Sequence, residues 1–150
     1  MAQEKNFENK VKRYLESLGI YPFGTADEYI ATPIIGYYEK RWGGGQFAKS
    51  GLPDMHVVVK GISFELELKA PNGKPSPLQL KNLSIIEKSE SIGCILVEHD
   101  KTVDRINAYI STNYPEFSNV SVISFDNFKK NFEKIIMLLS KTLDFPKNKW

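Results

Sequence analysis

The chain has a single cysteine in 150 residues, so Cys94 has no internal partner and a disulfide framework is excluded. It sits in the apolar stretch GCILVE, which predicts a buried, inert thiol. Long hydrophobic runs are missing too. No segment of about 18 apolar residues is present to span a membrane, and no basic, apolar and small-residue leader opens the chain. The expectation is therefore a soluble, cytoplasmic protein. Charge of one sign is scarce: 20 Lys and Arg stand against 18 Asp and Glu, a net charge of +2. That balance excludes a protein that coats nucleic acid by bulk positive charge, so any contact with DNA must come from local patches. With only His56, His99 and one cysteine, no zinc-ligand spacing can be assembled. His99, at a predicted strand end, is expected on the surface. Internal repeats and low-complexity tracts are likewise absent.

What remains is 150 residues, 41% hydrophobic, enough for one domain spanning 1–150 around a single core. Residues 3–18 place Phe7, Val11, Tyr14, Leu15 and Leu18 at helical spacing, with Gly19 as the stop. From 21 to 45 the periodicity fades among prolines and three consecutive glycines, with one strand expected near Ile34 to Tyr38. A hairpin follows at 54–69, then a helix over 76–89 with Leu80, Leu83 and Ile86 on one side, and an apolar strand over 94–98. Thr102 is a candidate cap for a helix through Ile110. Residues 120–124 predict another strand, and Asp126 caps a last helix facing inward with Phe128, Phe132, Ile135, Ile136 and Leu139. Helices interleaved with strands after a hairpin predict an α/β fold of three layers, a mixed sheet with helices packed on it.

The hairpin poses the chemical question. With Lys60-Gly61 as a two-residue turn, opposing residues have numbers that sum to 121. Asp54 then faces Glu67 and His56 faces Glu65, while the period of two keeps Asp54, His56, Glu65, Glu67 and Lys69 on one face. Val57, Val59, Phe64, Leu66 and Leu68 line the other. Like charges directly opposite on a sheet repel, and a divalent cation between them would reverse the sign. Mg²⁺ is commonly held by one or two carboxylates, waters and a substrate phosphate. Asp54 and Glu67 suit that role, and Lys69 is placed to orient a water or to stabilise charge developing on phosphorus. Glu65 and His56 would support them or face the substrate. Alone, an alternating Glu-Glu-Lys pattern is in most sequences only the solvated face of a strand. Here it follows Pro53-Asp54 at the right register and precedes a basic Gly-Pro loop leading to a helix with Gln79 in its first turn.

GLPD, then ELK, then KPSPLQ, behind a helix carrying Glu8, resembles the PD-(D/E)XK nuclease superfamily, and most of all its VRR-NUC branch of small phage-type nucleases related to Holliday-junction resolvases. The resemblance covers residues 5–98 and about ten motif positions. It implies a restriction-endonuclease-like fold with an αβββαβ core and helices on both faces, with a first strand between Ile34 and Phe47. Residues 100–150 would be an α/β extension. By the same likeness Asp54, Glu67 and the backbone carbonyl of Leu68 would bind Mg²⁺ or Mn²⁺, and Lys69 would be the catalytic lysine. Glu8 would be the accessory acidic residue, acting on the metal indirectly, Gln79 the polar residue opening the next helix, and Gly51 the glycine of the G-x-P-D turn. The valine-arginine-arginine segment that names the branch is absent, and the nearest arginine is Arg105.

DNA contacts are expected from KRWGGGQFAKS, through Lys40, Arg41, Trp42, Lys49 and Ser50, with Trp42 either stacking on a base or tucked into the core. Lys74, Ser76 and Lys81 flank a helix N-terminus, a ready phosphate site. The expected function is a metal-dependent endonuclease acting on branched DNA in a bacterial or phage-infected cell. A homodimer is expected, since resolving a four-way junction takes two symmetric incisions. The alternatives are a sequence-reading restriction-type enzyme and a non-catalytic binding module on the same fold.

Overall fold

The computed structural model describes residues 2–25, 33–41 and 51–142. Helix α1 runs over Ala2–Ser17 and ends before Gly19, as its apolar spacing predicts. A short strand the sequence did not signal, β1 (Ile20–Pro22), follows and lies parallel to β2 (Gly36–Lys40). Three residues are too few for alternation to register, and Pro22 reads as a breaker; Pro is tolerated on an edge strand such as this one. Strand β2 pairs antiparallel with β3 (Met55–Val59), which turns into β4 (Ile62–Leu68). Helix α2 (Pro77–Lys88) leads to β5 (Ile92–Val97), parallel to β4, and α3 (Asp100–Asn113) leads through a single 3-10 turn to β6 (Val122–Ser124), parallel to β5. Helix α4 (Phe125–Thr142) closes the described chain. The six strands form one mixed sheet in the order β1-β2-β3-β4-β5-β6.

Two helix boundaries differ from the sequence expectation. Thr102 does not cap α3: the helix starts three residues earlier behind His99, and Thr102 is buried in its first turn. Asp126 likewise lies inside the first turn of α4, which begins at Phe125 straight from β6. In both places a capping-type residue occupies the first turn, where a carboxylate or hydroxyl near the helix N-terminus is equally well placed.

Helices cover both faces of the sheet. On one, Phe7, Val11 and Leu15 of α1 and Phe128 and Phe132 of α4 pack on Val57, Val59, Phe64, Leu66 and Leu68, the apolar face read from the hairpin. Phe132 sets its ring edge-on to Phe64 with centroids 5.0 Å apart, a geometry that adds to simple burial. On the other, Leu80 and Leu83 of α2 and Ile106 and Ile110 of α3 pack over Ile95 and Val97 of β5. The polar side chains of β3 and β4 share this second face and meet the first turn of α2 at its edge.

Candidate metal centre

The hairpin register decides the site. Lys60 and Gly61 adopt φ of 49° and 86°, the two positive values of a type I′ turn. Val59 pairs with Ile62 and His56 with Glu65, the predicted register. Asp54, one residue before β3, is thereby brought back across the end of β4, where its Oδ2 accepts from the Leu68 amide at 2.9 Å. This places its charge beside Glu67, the residue before Leu68 on the same strand. Gly51 fastens the approach to Asp54 against α2. It sits at φ 77°, and a Cβ there would come within 2.6 Å of Leu78 Cγ, while its carbonyl accepts from Asn82 Nδ2 at 2.9 Å.

Glu67 is 1% exposed. Its Oε2 accepts from Gln79 Nε2 at 3.1 Å and lies 3.5 Å from Lys69 Nζ, and its buried Oε1 has no hydrogen-bond partner. Burial, and then the charge of Asp54, push the Glu67 carboxyl up to about 8 against the pull of Lys69. Two carboxyls facing each other, one buried with an orphaned oxygen, are poorly satisfied by protein alone. Carboxyl oxygens are hard donors, the kind a hard divalent cation takes, and such a cation would favour the ionised form of Glu67.

Gln79 is oriented by the capping box of α2. Its Oε1 accepts from the Ser76 amide at 2.9 Å and the Ser76 hydroxyl accepts from the Gln79 amide at 3.1 Å, so Nε2 is left to face Glu67. The segment after Lys69 is held from α3: Arg105 Nη2 donates to the Gly73 carbonyl at 2.6 Å, and the Gly73 amide closes a turn on Ala70 O at 2.9 Å.

Asp54, Glu67, Lys69 and Gln79 thus come together, with Leu68 at the end of the same strand. Glu8 stands in a cluster of its own. It is buried on α1 and ion-paired to Lys5, Lys12 and Lys40. Burial raises its pKa, but the hydrogen bonds from Lys40, Lys12 and Lys5 outweigh it and hold the carboxyl at about 2. Among the described residues no three His, Cys, Asp or Glu side chains form a metal-holding group. The candidate site thus offers two carboxyls, Asp54 and Glu67.

The expected DNA contacts are dispersed. Lys40 reaches Glu8, Lys74 lies 5.4 Å from the centroid of the Tyr109 ring, Ser76 caps α2, and Lys81 is exposed on α2. Trp42, Lys49 and Ser50 lie outside the described residues. Arg41 does something sequence reasoning missed. Its guanidinium donates to Glu65 at 2.6 and 3.3 Å and to the Pro53 carbonyl at 3.1 Å, and its amide donates to the Asp54 carbonyl at 2.7 Å. His56 Nδ1 completes the network 2.6 Å from Glu65 Oε1. Opposing charges at Arg41 and Glu65 in the chain gave no signal, because they are 24 residues apart. Cys94 is buried, as expected, and burial pushes its thiol up to about 12. No described helix is long and apolar enough to cross a membrane.

Comparison of the chain with protein-family models, with curated proteins and with solved structures finds no match.

Proposed function

We propose that this protein is a Mg²⁺- or Mn²⁺-dependent endodeoxyribonuclease of the PD-(D/E)XK kind, selective for branched DNA. The observation that carries the reading is Asp54 bonded to the Leu68 amide next to the buried, under-satisfied carboxyl of Glu67, with Lys69 Nζ 3.5 Å from that carboxyl. With the short edge strand β1 set aside, the succession α1-β2-β3-β4-α2-β5 supports it as well, being the αβββαβ order of a restriction-endonuclease-like core.

Asp54 and Glu67, with the Leu68 carbonyl, would hold the metal. When bound, the metal lowers the pKa of a water and offsets charge developing on the phosphate. The rest falls to the chain itself. Gln79 Nε2 pins Glu67 Oε2, so that the free Oε1 is the atom offered for binding. Lys69 Nζ, steadied by its approach to Glu67, orients the attacking water and stabilises the pentacovalent phosphorus by its charge. Arg41, Glu65 and His56 hold the Pro53-Asp54 peptide in place. Each chain carries one such centre, so symmetric incision of a four-way junction requires a homodimer. Sedimentation that shows only monomer, with and without junction DNA, would leave at most a nicking activity.

The decisive experiment compares four-way-junction, flap, single-stranded and linear duplex DNA with Mg²⁺, Mn²⁺ or EDTA, using wild type and Lys69→Ala. Metal-dependent cutting of branched DNA that disappears in the variant is expected. A folded wild-type protein that cuts none of these substrates would overturn the proposal, and cutting of plain duplex at fixed sites would make the enzyme a restriction-type one.

A further inference from the structure

Helix α1 has two unlike flanks. At about 100° per residue, Gln3, Asn6, Asn9, Lys10 and Arg13 fall within one sector of about 120°, and the helix's carboxylates Glu4, Glu8 and Glu16 all lie outside it. This flank forms one wall of a groove of about 430 Å³ whose far side is Pro71 with the Glu98-His99 strand end. Gln3, Asn6, Lys10 and Arg13 are exposed. Lys10 pairs with Glu98, the one carboxylate on the groove. The three amides and the Arg13 guanidinium carry no hydrogen bond or ion pair with other described residues. A wall of unused donors with no carboxylate of its own suits an anion bearing many acceptor oxygens.

The groove also lies close in the chain to the candidate metal centre. Pro71 is two residues beyond Lys69, a separation of at most about 7 Å of extended chain. A polyanion with one phosphate at Asp54 and Glu67 would reach the groove with its next few phosphates, which recur at intervals of a few ångströms along one strand. From Gln3 to Arg13 the flank rises about 15 Å, long enough for two or three phosphates.

We propose that the α1 groove binds the phosphodiester backbone of the DNA arm next to the scissile phosphate, an inference that rests on the nuclease reading. Arg13 supplies the charge, Lys10 being paired with Glu98, and the amides of Asn6 and Asn9 donate to phosphate oxygens, contacts that position a substrate without reading its sequence. The groove thereby fixes which phosphate lies at the metal centre.

The test is binding of a fluorescein-labelled four-way junction and of a labelled linear duplex, followed by anisotropy in EDTA over a salt series. Wild type, Arg13→Ala, Arg13→Glu, Asn6→Ala and, as a control cation at the far end of α2, Lys88→Ala are compared. Arg13→Ala should reduce the slope of log K against log salt by about 1. Arg13→Glu should weaken binding at least about 10-fold on both DNAs, Asn6→Ala should weaken it about equally on both, and Lys88→Ala should match wild type. Wild-type binding and slope in Arg13→Glu would overturn the groove, as would an equal loss in Lys88→Ala. Parallel cleavage assays in Mg²⁺ separate this inference from the nuclease reading. Wild type that cuts, with Arg13→Glu cutting at unchanged KM, removes the groove and keeps the nuclease. Wild type that binds through Arg13 but cuts nothing removes the nuclease and keeps the groove, and wild type that binds no DNA removes both.

Discussion

The side-chain amide of Gln79 is divided between the first turn of α2 and the carboxyl of Glu67: Oε1 accepts from the Ser76 amide at 2.9 Å, and Nε2 donates to Glu67 Oε2 at 3.1 Å. Because the cap consumes the oxygen, the nitrogen has one direction left. The helix start and the candidate metal centre thus share one residue, and its two contacts can be separated by mutation.

Gln79→Glu keeps an oxygen for the Ser76 amide but sets a second carboxyl against Glu67. At pH 8 the variant should lose about 1–3 kcal/mol of stability in the absence of metal. At pH 5 the loss should shrink, because a protonated carboxyl can donate where the amide did. Thermal melts at the two pH values check this. Gln79→Ala should lose about 1 kcal/mol at both, the worth of a cap.

Glu67 sets the pH dependence of the metal-free protein. Its folded pKa, about 8, lies above the ordinary value of 4.5. Between these values the folded state binds the extra proton, so stability falls as pH rises from about 4.5 to about 8. The stabilisation present below 4.5 is gone above 8. The decline should be of order 2–4 kcal/mol in EDTA, should be absent in Glu67→Gln, and should be reversed at pH 8.5 by millimolar Mg²⁺. Denaturant titrations across pH, with and without metal, measure all three.

Lys69 and Asp54 should fail differently. Lys69→Ala is expected to lose at least about 10²-fold in cleavage rate while binding metal and DNA nearly as wild type does. Asp54→Ala is expected to lose metal binding outright. Mn²⁺ titration by calorimetry on both variants, with cleavage in parallel, tells a charge acting on the reacting phosphate from a ligand.

Arg41, expected to contact DNA, bonds the Pro53 carbonyl and Glu65. Arg41→Ala should therefore lower kcat and metal affinity by about 10-fold, with little change in metal-free DNA binding. A variant whose only defect is weaker DNA binding with a shallower salt slope would return Arg41 to the nucleic-acid surface.

Much of this was legible in the chain because it rests on local rules. Phe7, Val11 and Leu15 repeat at helical spacing and are buried. Lys60-Gly61 between alternating strands predicts a two-residue turn, and that turn fixes the register that returns Asp54 to Glu67. Strand β1 was not legible, since three residues ending in proline carry no period and gain their pairing only from β2. The starts of α3 and α4 were misplaced because Thr102 and Asp126 serve as well inside a first turn as before one.

The sequence by itself determined the order of the elements other than β1, the two faces of the hairpin and the company of Asp54, Glu67 and Lys69, because side-chain period and turn chemistry act over a few residues. Only the tertiary structure decided that Gln79 points at Glu67, that Arg41 bonds Glu65 and Pro53, and that Glu8 is held by three lysines. Those outcomes depend on burial and on which charges meet across the fold. A carboxylate's character is set by how much water it loses and by what replaces it. The same residue type therefore carries a pKa near 2 at Glu8 and near 8 at Glu67.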